Sequence, residues 1–337
     1  MKRIGRMAAC VAAVFALAAH AEPDTFGLGT GRDGALTVSG GNRVVNSYAQ
    51  VTAPLAPGDT TITVGNASGF AAGDLVMVLQ TTGIVPTPPS GQQPAGGIDI
   101  SSDPVGRWEL ARVQSVSGLQ VTLTAPLIHS FAASVTQLIR VPEYTDVTVF
   151  ASGTITADPW NGSIGGVVAF LATGVVSVNG SINVNGRGFR GGIFVNGSSN
   201  NGCTGLDQPA PDGAQKGEGL SPGLYAAAAT GRGNVTNGAG GGVCHNAGGG
   251  GGGNGGAGGI GGRSWSGDGS RNVGGMGGWN LKYSLLDHLT FGGGGGAAHG
   301  NNNFGTSGGR GGGAIFIRAG QLSGLGTISA NGASGGT

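Results

Sequence analysis

The sequence predicts an all-β protein: a small β-barrel or sandwich module, then a β-sandwich or short β-solenoid framework carrying an ordered polyglycine-II-like insertion. Three observations predict it. Residues 44–150 hold short alternating runs with turn residues between them and no helical period. A strand-turn cassette recurs on both sides of a glycine-rich stretch. Within that stretch, at 187–311, glycine falls on a three-residue beat.

The ends of the chain set the compartment. Lys2, Arg3 and Arg6, an apolar run over 8–18 and Ala19-His20-Ala21 read as a secretory signal peptide over 1–21. Residues 22–43 are polar and glycine-rich, an expected extended lead-in. With the signal removed, 14 basic side chains face 16 acidic ones, and no basic stripe points to nucleic acid. No later apolar run is long enough to span a membrane. The expectation is an exported protein, extracellular or at the outer cell surface.

In the first module the run 60–64 alternates, 69–74 is a turn and 75–80 is a buried strand. Residues 83–106 hold five prolines and read as a long surface loop. The runs 108–116 and 120–127 form a hairpin, and 138–141 and 146–150 complete the set. Residues 57–78 and 109–127 resemble a module common in secreted bacterial proteins, which implies a spacer or binding unit.

The framework of 151–337 is read from its repeats. Residues 165–172 (GGVVAFLA) match 312–319 (GGAIFIRA); 180–186 (GSINVNG) match 326–332 (GTISANG); Gly153-Thr154-Ile155-Thr156-Ala157 begins a third copy. Residues 187–311 are then an insertion held at both ends. Within it, Gly-Gly-X triplets run from 252 to 263, and Val273, Met276 and Trp279 are each separated by two glycines. A left-handed extended helix with three residues per turn aligns those three side chains on one edge and leaves glycine edges bare for close approach. A flexible spacer is the competing reading, but it gives no reason for Val, Met and Trp to fall in phase. Residues 281–291 interrupt the glycine, and Leu281, Leu285 and Leu289 suggest a short helix or turn acting as an anchor.

Two cysteines remain after signal removal, Cys203 and Cys244, an even count that favours a disulfide in an exported chain. A metal site from Cys203, Cys244, His245 and His299 is the alternative; it lacks paired C-x-x-C spacing, and neither metal nor cofactor is expected. Glycine richness generates G-x-S-x-G at 219–223, 305–309 and 332–336 and G-x-G-x-x-G at 186–191, none between a strand and a helix. A glycan-cleaving pair of carboxylates would have to be drawn from distant groups such as Asp158, Asp207 or Asp212. What remains is a surface: Trp265, Arg263, Arg271, Asn301, Asn302, Asn303, Phe304 and Arg310, with Trp279, Tyr283 and Phe291 nearby, are the materials of a binding face.

The pieces 106–116, 140–149 (RVPEYTDVTV), 165–192, 203–219 (CTGLDQPAPDGAQKGEG) and 308–319 (GGRGGGAIFIRA) resemble glycine-rich exported proteins of myxobacteria, including ones named adventurous gliding motility proteins. The resemblance implies a non-enzymatic surface protein for adhesion or gliding, whose partner is a cell-surface component or an extracellular glycan or protein. It brings no catalytic residues. Similar proteins continue with further modules, so this chain is expected to be part of a longer one. A secreted β-solenoid enzyme acting on polysaccharide and a passive spacer are the alternatives.

Overall fold

The computed structural model describes residues 26–91, 96–197, 203–221, 225, 229–267 and 274–336. The expected signal peptide lies outside them. The described residues contain strands, turns and extended segments and no helix.

A stack of four parallel β-coils is the spine. Each coil is a strand, a tight turn and a second strand: Leu36–Val38 with Gly41–Val44, Val147–Val149 with Gly153–Thr156, Val167–Val178 with Ser181–Asn183, and Ala314–Ser323 with Thr327–Ser329. The first strands pair in parallel in that order, as do the second strands. Like residues therefore stack on like: Leu36, Val147, Val176 and Leu322 form one column, and Ile155, Ile182 and Ile328 another. The segment expected as a lead-in thus supplies, from Leu36 onward, the first coil. Its pairing partner lies beyond the whole first module, so no nearby repeat betrays it.

The sequence repeat is also the register of pairing. Val167 pairs with Ala314 and Ala172 with Ala319, while Ser181 pairs with Thr327. The spacing shortens by one residue between the two cassettes, and an irregularity between Ala172 and Val175 takes up the slip.

Residues 45–142, between the first and second coils, contain a six-stranded antiparallel sheet. Tyr48–Gln50, Thr136–Val141, Leu75–Gln80, Trp108–Ser117, Gln120–Leu123 and Thr61–Thr63 follow one another across it, and its edge strands meet at the Val51–Val64 bridge. Val147–Val149, expected in this set, belongs to the coils instead.

The run 167–172 (VVAFLA) shows how the parts join. Its six side chains are all fully buried, as expected for a parallel strand covered on both faces. Val168, Phe170 and Ala172 point into the coil stack with Val147, Ile155 and Ile182. Val167, Ala169 and Leu171 point the other way, against Leu75, Met77 and Leu79 of the antiparallel sheet and Trp160, Phe189, Trp279 and Phe291. Coil stack, sheet and glycine insertion share one apolar seam.

Hydrogen bonds show the described glycine segments of the insertion to form an ordered polyglycine-II array. Gly248 and Gly251 donate to Gly262 and Gly259, Gly258 and Gly261 to Gly278 and Gly275, and Gly275 and Gly278 back to Gly248 and Gly251, all at 2.8–3.0 Å. Every third residue bonds one neighbour, the signature of a threefold extended helix. Glycine is required by contact: a methyl on Gly258 or Gly293 would overlap the carbonyl oxygen of Gly251 or Asn237.

Residues 281–291 are a strand and turn. Leu281–Lys282 pairs with Ile98–Asp99. Leu281 is buried, Leu289 packs on the shared core, and Leu285 and Leu286 face solvent, so the three leucines do not share a face. His288 is fully buried and its Nε2 lies 3.0 Å from the Asp103 carbonyl. Its Nδ1 lies 2.9 Å from Asp287 Oδ1, without hydrogen-bond geometry. This segment fastens the insertion to the sheet.

Candidate binding surface

The array has two unlike ends. Pairings such as Gly248 with Gly262, Gly308 with Gly192 and Gly242 with Ala297 place those residues near one level. Beyond them lie the segments 193–197, 203–213, 243–247, 263–267 and 298–307. The opposite end is bound to the segment that joins Leu75–Gln80 to Trp108–Ser117, through Gly83 to Leu220 (2.7 Å), Ile98 to Asn280 (2.9 Å) and Leu289 to Gly106 (2.7 Å). The first end is the tip of the array, and its 203–213 loop also meets the first module, where Leu206 packs on Gly91.

Covalent and backbone bonds fix the tip. Cys203 and Cys244 form a disulfide with Cα atoms 5.6 Å apart, which removes the alternative of a thiolate metal site. His245 and Asn246, next to it, both have positive φ, 55° and 65°, the left-handed conformation that asparagine tolerates better than most residues. That turn aims the His245 carbonyl at the Trp265 amide (2.8 Å) and Asn246 Oδ1 at the Asn301 amide (3.1 Å). The rings of His245 and Trp265 meet edge-on with centroids 5.6 Å apart. Together His245, Asn246, Trp265 and Asn301 line a cleft of about 300 Å³. Trp265 remains 58% exposed beside it.

The Asn-rich loop is held similarly. Val195–Asn196 pairs with His299–Gly300, Asn196 Oδ1 accepts the Asn303 amide (2.7 Å), and Asn302 Oδ1 accepts the Phe304 amide (3.3 Å). Phe304 is 80% exposed. Beneath the loop, buried His299 holds the Pro211 carbonyl at 3.0 Å, and since that oxygen only accepts, Nε2 carries the proton. Burial first, and His245 nearby, hold its pKa below the usual histidine value against Pro211 and Asp212. Chemically, the tip offers two exposed aromatic rings among side-chain amides, a surface for stacking and hydrogen bonding.

The structure brings together Trp265, Asn301, Asn302, Asn303 and Phe304, with Arg263 exposed in the Trp265 loop. Arg271 and Val273 lie outside the described residues. Arg310 is elsewhere: its guanidinium bonds the carbonyls of Gly186 (Nε, 3.1 Å), Gly188 (3.3 Å) and Trp160, tying the array to the coils. Trp279 and Phe291 are core residues, and Tyr283 bonds Asn254 (3.0 Å) and Thr290 (2.8 Å). Met276 is half-buried, and Met276 and Trp279 both direct their amides to one neighbour, at Arg232 and Thr236. Sequence reasoning did not place His245 and Asn246 in the cleft; the only signal was their adjacency to Cys244.

Of the three carboxylates weighed for glycan cleavage, Asp207 and Asp212 share the loop 203–213 and Asp158 lies elsewhere. Asp207 is bound by Lys216 Nζ, which with desolvation partly opposing it holds its pKa low. The Asp212 carbonyl accepts the Cys244 amide (2.9 Å), and the Asp158 carbonyl accepts the Gly166 amide (2.7 Å) beside the coils.

No protein-family model and no curated protein matches this chain. Among solved structures it is similar to the tailspike gp61 of Pseudomonas phage phi297, at 18% identity over 44% of this chain and 23% of that one, with a TM-score of 0.23. The Gp54 tailspike of Acinetobacter baumannii bacteriophage AP22, solved in complex with A. baumannii capsular saccharide, aligns at 10% identity over 44% and 28%, TM-score 0.22. The tailspike gp49 of Pseudomonas phage LKA1 aligns at 13% identity over 49% and 31%, TM-score 0.22. The alignments span less than a third of each tailspike, and scores this low carry no inference to this chain's activity.

Proposed function

We propose that this protein is an exported, non-enzymatic surface protein that binds an extracellular glycan through the tip of its glycine array, in the service of adhesion or gliding. The observation that supports this reading best is the His245–Asn246–Trp265–Asn301 cleft with Phe304 nearby, built from aromatic rings and amides on a stalk that is rigid down to its backbone bonds. Aromatic faces pack on apolar ring faces of a ligand, and amides both donate to and accept from hydroxyls. A rigid stalk adds affinity by removing the ordering cost that flexible loops incur on binding. The disulfide is consistent with export.

The test is retention of the purified mature protein on a panel of immobilised bacterial surface polysaccharides, with Trp265→Ala and Asn301→Ala beside it. At least one polysaccharide should retain the wild type, with each substitution weakening retention at least tenfold and leaving the melting temperature unchanged. Retention by a protein ligand alone, or equal retention of Trp265→Ala, would sink the glycan reading. Deletion of the gene should impair attachment or gliding.

A further inference from the structure

Residues 292–298 are the axial strand of the glycine array. Their amides leave in three directions: Gly292 and Gly295 to Gly312 and Gly309, Gly293 and Gly296 to Gly253 and Gly250, and Gly294 and Ala297 to Glu218 and Gln215. Their carbonyls accept in the directions between: Gly295 from Gly192, and Gly294 and Ala297 from Ala239 and Gly242. A threefold screw with donors and acceptors alternating around it is completed by six neighbours. Five are present among the described residues, the segments 307–313, 188–192, 214–220, 238–243 and 247–253, and they bond one another in that order through Gly311 to Phe189, Glu218 to Arg190, Gly217 to Ala239 and Gly250 to Gly240. The ring is open on one side, between 247–253 and 307–313.

That side is a groove. Two contiguous stretches of about 430 and 380 Å³, sharing Gly252, Gly293 and Gly332, run along it. The alternation requires the neighbour there to be a donor to the axial strand, and the carbonyls of Gly293 and Gly296 accept no amide among the described residues. The amides of Gly249 and Gly252 on one wall, and of Gly309 and Gly312 on the other, likewise have no acceptor there. Each pair is three residues apart, roughly 9 Å along an extended threefold helix. The floor is bare: a methyl on Gly295 would lie 3.3 Å from Gly309 N and 3.5 Å from Gly250 O, in the opening itself. Among the described residues lining it the only charged side chain is Arg310, whose guanidinium is engaged with Gly186, Gly188 and Trp160.

We propose that this groove docks an extended, uncharged, glycine-rich peptide strand of a partner protein, with glycine at every position facing the floor. The strand's amides donate to Gly293 and Gly296 while its carbonyls accept from Gly249 and Gly252. Three residues per turn match the spacing of both rows, and the absence of Cβ atoms on the strand's inner edge allows the close approach that the five existing neighbours make. This site shares no residue with the His245–Asn246–Trp265–Asn301 cleft, so its failure leaves the glycan reading untouched.

Amide hydrogen exchange on the mature protein tests it, with a synthetic peptide of repeating Gly-Gly-Asn and a control of repeating Ala-Ala-Asn. The glycine peptide should slow exchange at Gly249 and Gly252 at least tenfold and leave Gly250 and Gly253 unchanged, and the alanine peptide should slow neither. Gly295→Ala should abolish the slowing while keeping exchange at Gly294 slow; should that variant not fold, Gly332→Val at the groove rim, whose Cβ lies 3.5 Å from the Arg310 carbonyl, serves the same purpose. No protection at millimolar peptide, or equal protection by both peptides, overturns the proposal. Protection that rises with protein concentration alone, with dimers in sedimentation, would also overturn it in favour of a second copy of this chain.

Discussion

Gly293 lies against Asn237 so closely that a methyl on the glycine would overlap the asparagine carbonyl oxygen. Asn237 in turn accepts the Gly253 amide (2.8 Å), and its side-chain amide donates to the Phe291 carbonyl (3.1 Å). The contact is backbone on backbone, with no flexible side chain to move aside. Gly293→Ala should therefore destabilise the protein by about 3 kcal/mol, at the upper end of overpacking costs. Gly259 has open space around its Cβ direction and no positive φ, so Gly259→Ala should stabilise by about 0.4–1 kcal/mol through the unfolded chain. Denaturant titration of the two variants should give opposite signs; equal effects would mean the array is not close-packed.

The disulfide closes a loop with a sequence separation of 41. In the chain-entropy model that constraint contributes about 4 kcal/mol. Replacing Cys203 and Cys244 by serine should lower the unfolding free energy by about that amount, with faster amide exchange at Trp265 and Asn301 before global unfolding. Unchanged exchange at the tip would show that hydrogen bonds alone hold it.

Glu143 is fully buried where the coils meet the antiparallel sheet. It bonds the Arg112 guanidinium (Nη2, 3.0 Å) and accepts the Thr30 amide (2.9 Å). Removing one partner of such a pair strands the other, at a cost of about 3–5 kcal/mol. Arg112 keeps some access to water, which places Glu143→Gln near the lower figure, about 3 kcal/mol. The measurement is the shift in denaturation midpoint, and a shift under about 1 kcal/mol would show that water reaches Arg112 freely.

The neutral His299 beneath the tip makes stability depend on pH. Its folded pKa is depressed below the ordinary value of 6.5, chiefly by burial. The unfolded chain thus takes up a proton first as pH falls, and by linkage the folded state loses stability from about pH 6.5 downward until the folded pKa is reached. A His299→Gln variant should show a flatter melting temperature between pH 7 and pH 5 than the wild type. Parallel profiles would place the titration elsewhere.

The repeat at 165–172 and 312–319 states which residues stack, because a parallel coil places its successor directly on top and the same side-chain sizes recur. Glycine triplets likewise announce a threefold helix, since only that conformation gives each third residue the same neighbour. Val, Met and Trp in phase did not announce their surroundings: Trp279 is core while Met276 is half-buried. Arg310 looked like a surface cation and is a backbone clamp, because guanidinium donors serve carbonyls as readily as ligands. The first coil was hidden, although Leu36-Thr37-Val38 echoes Val147-Thr148-Val149, because the antiparallel sheet separates partners that touch in space.

Periodicity, composition and the cysteine count by themselves determined the all-β class, the stacked cassettes, the threefold glycine conformation and the expected disulfide. Only the tertiary structure decided how the glycine segments are ordered around 292–298, which end of the array carries the tip loops, and that His245 and Asn246 meet Trp265 and Asn301 there. The reason is physical: a glycine edge has no side chain, so its sequence encodes permission for close approach to any backbone. Which backbone arrives is fixed by the anchors at the array's other end.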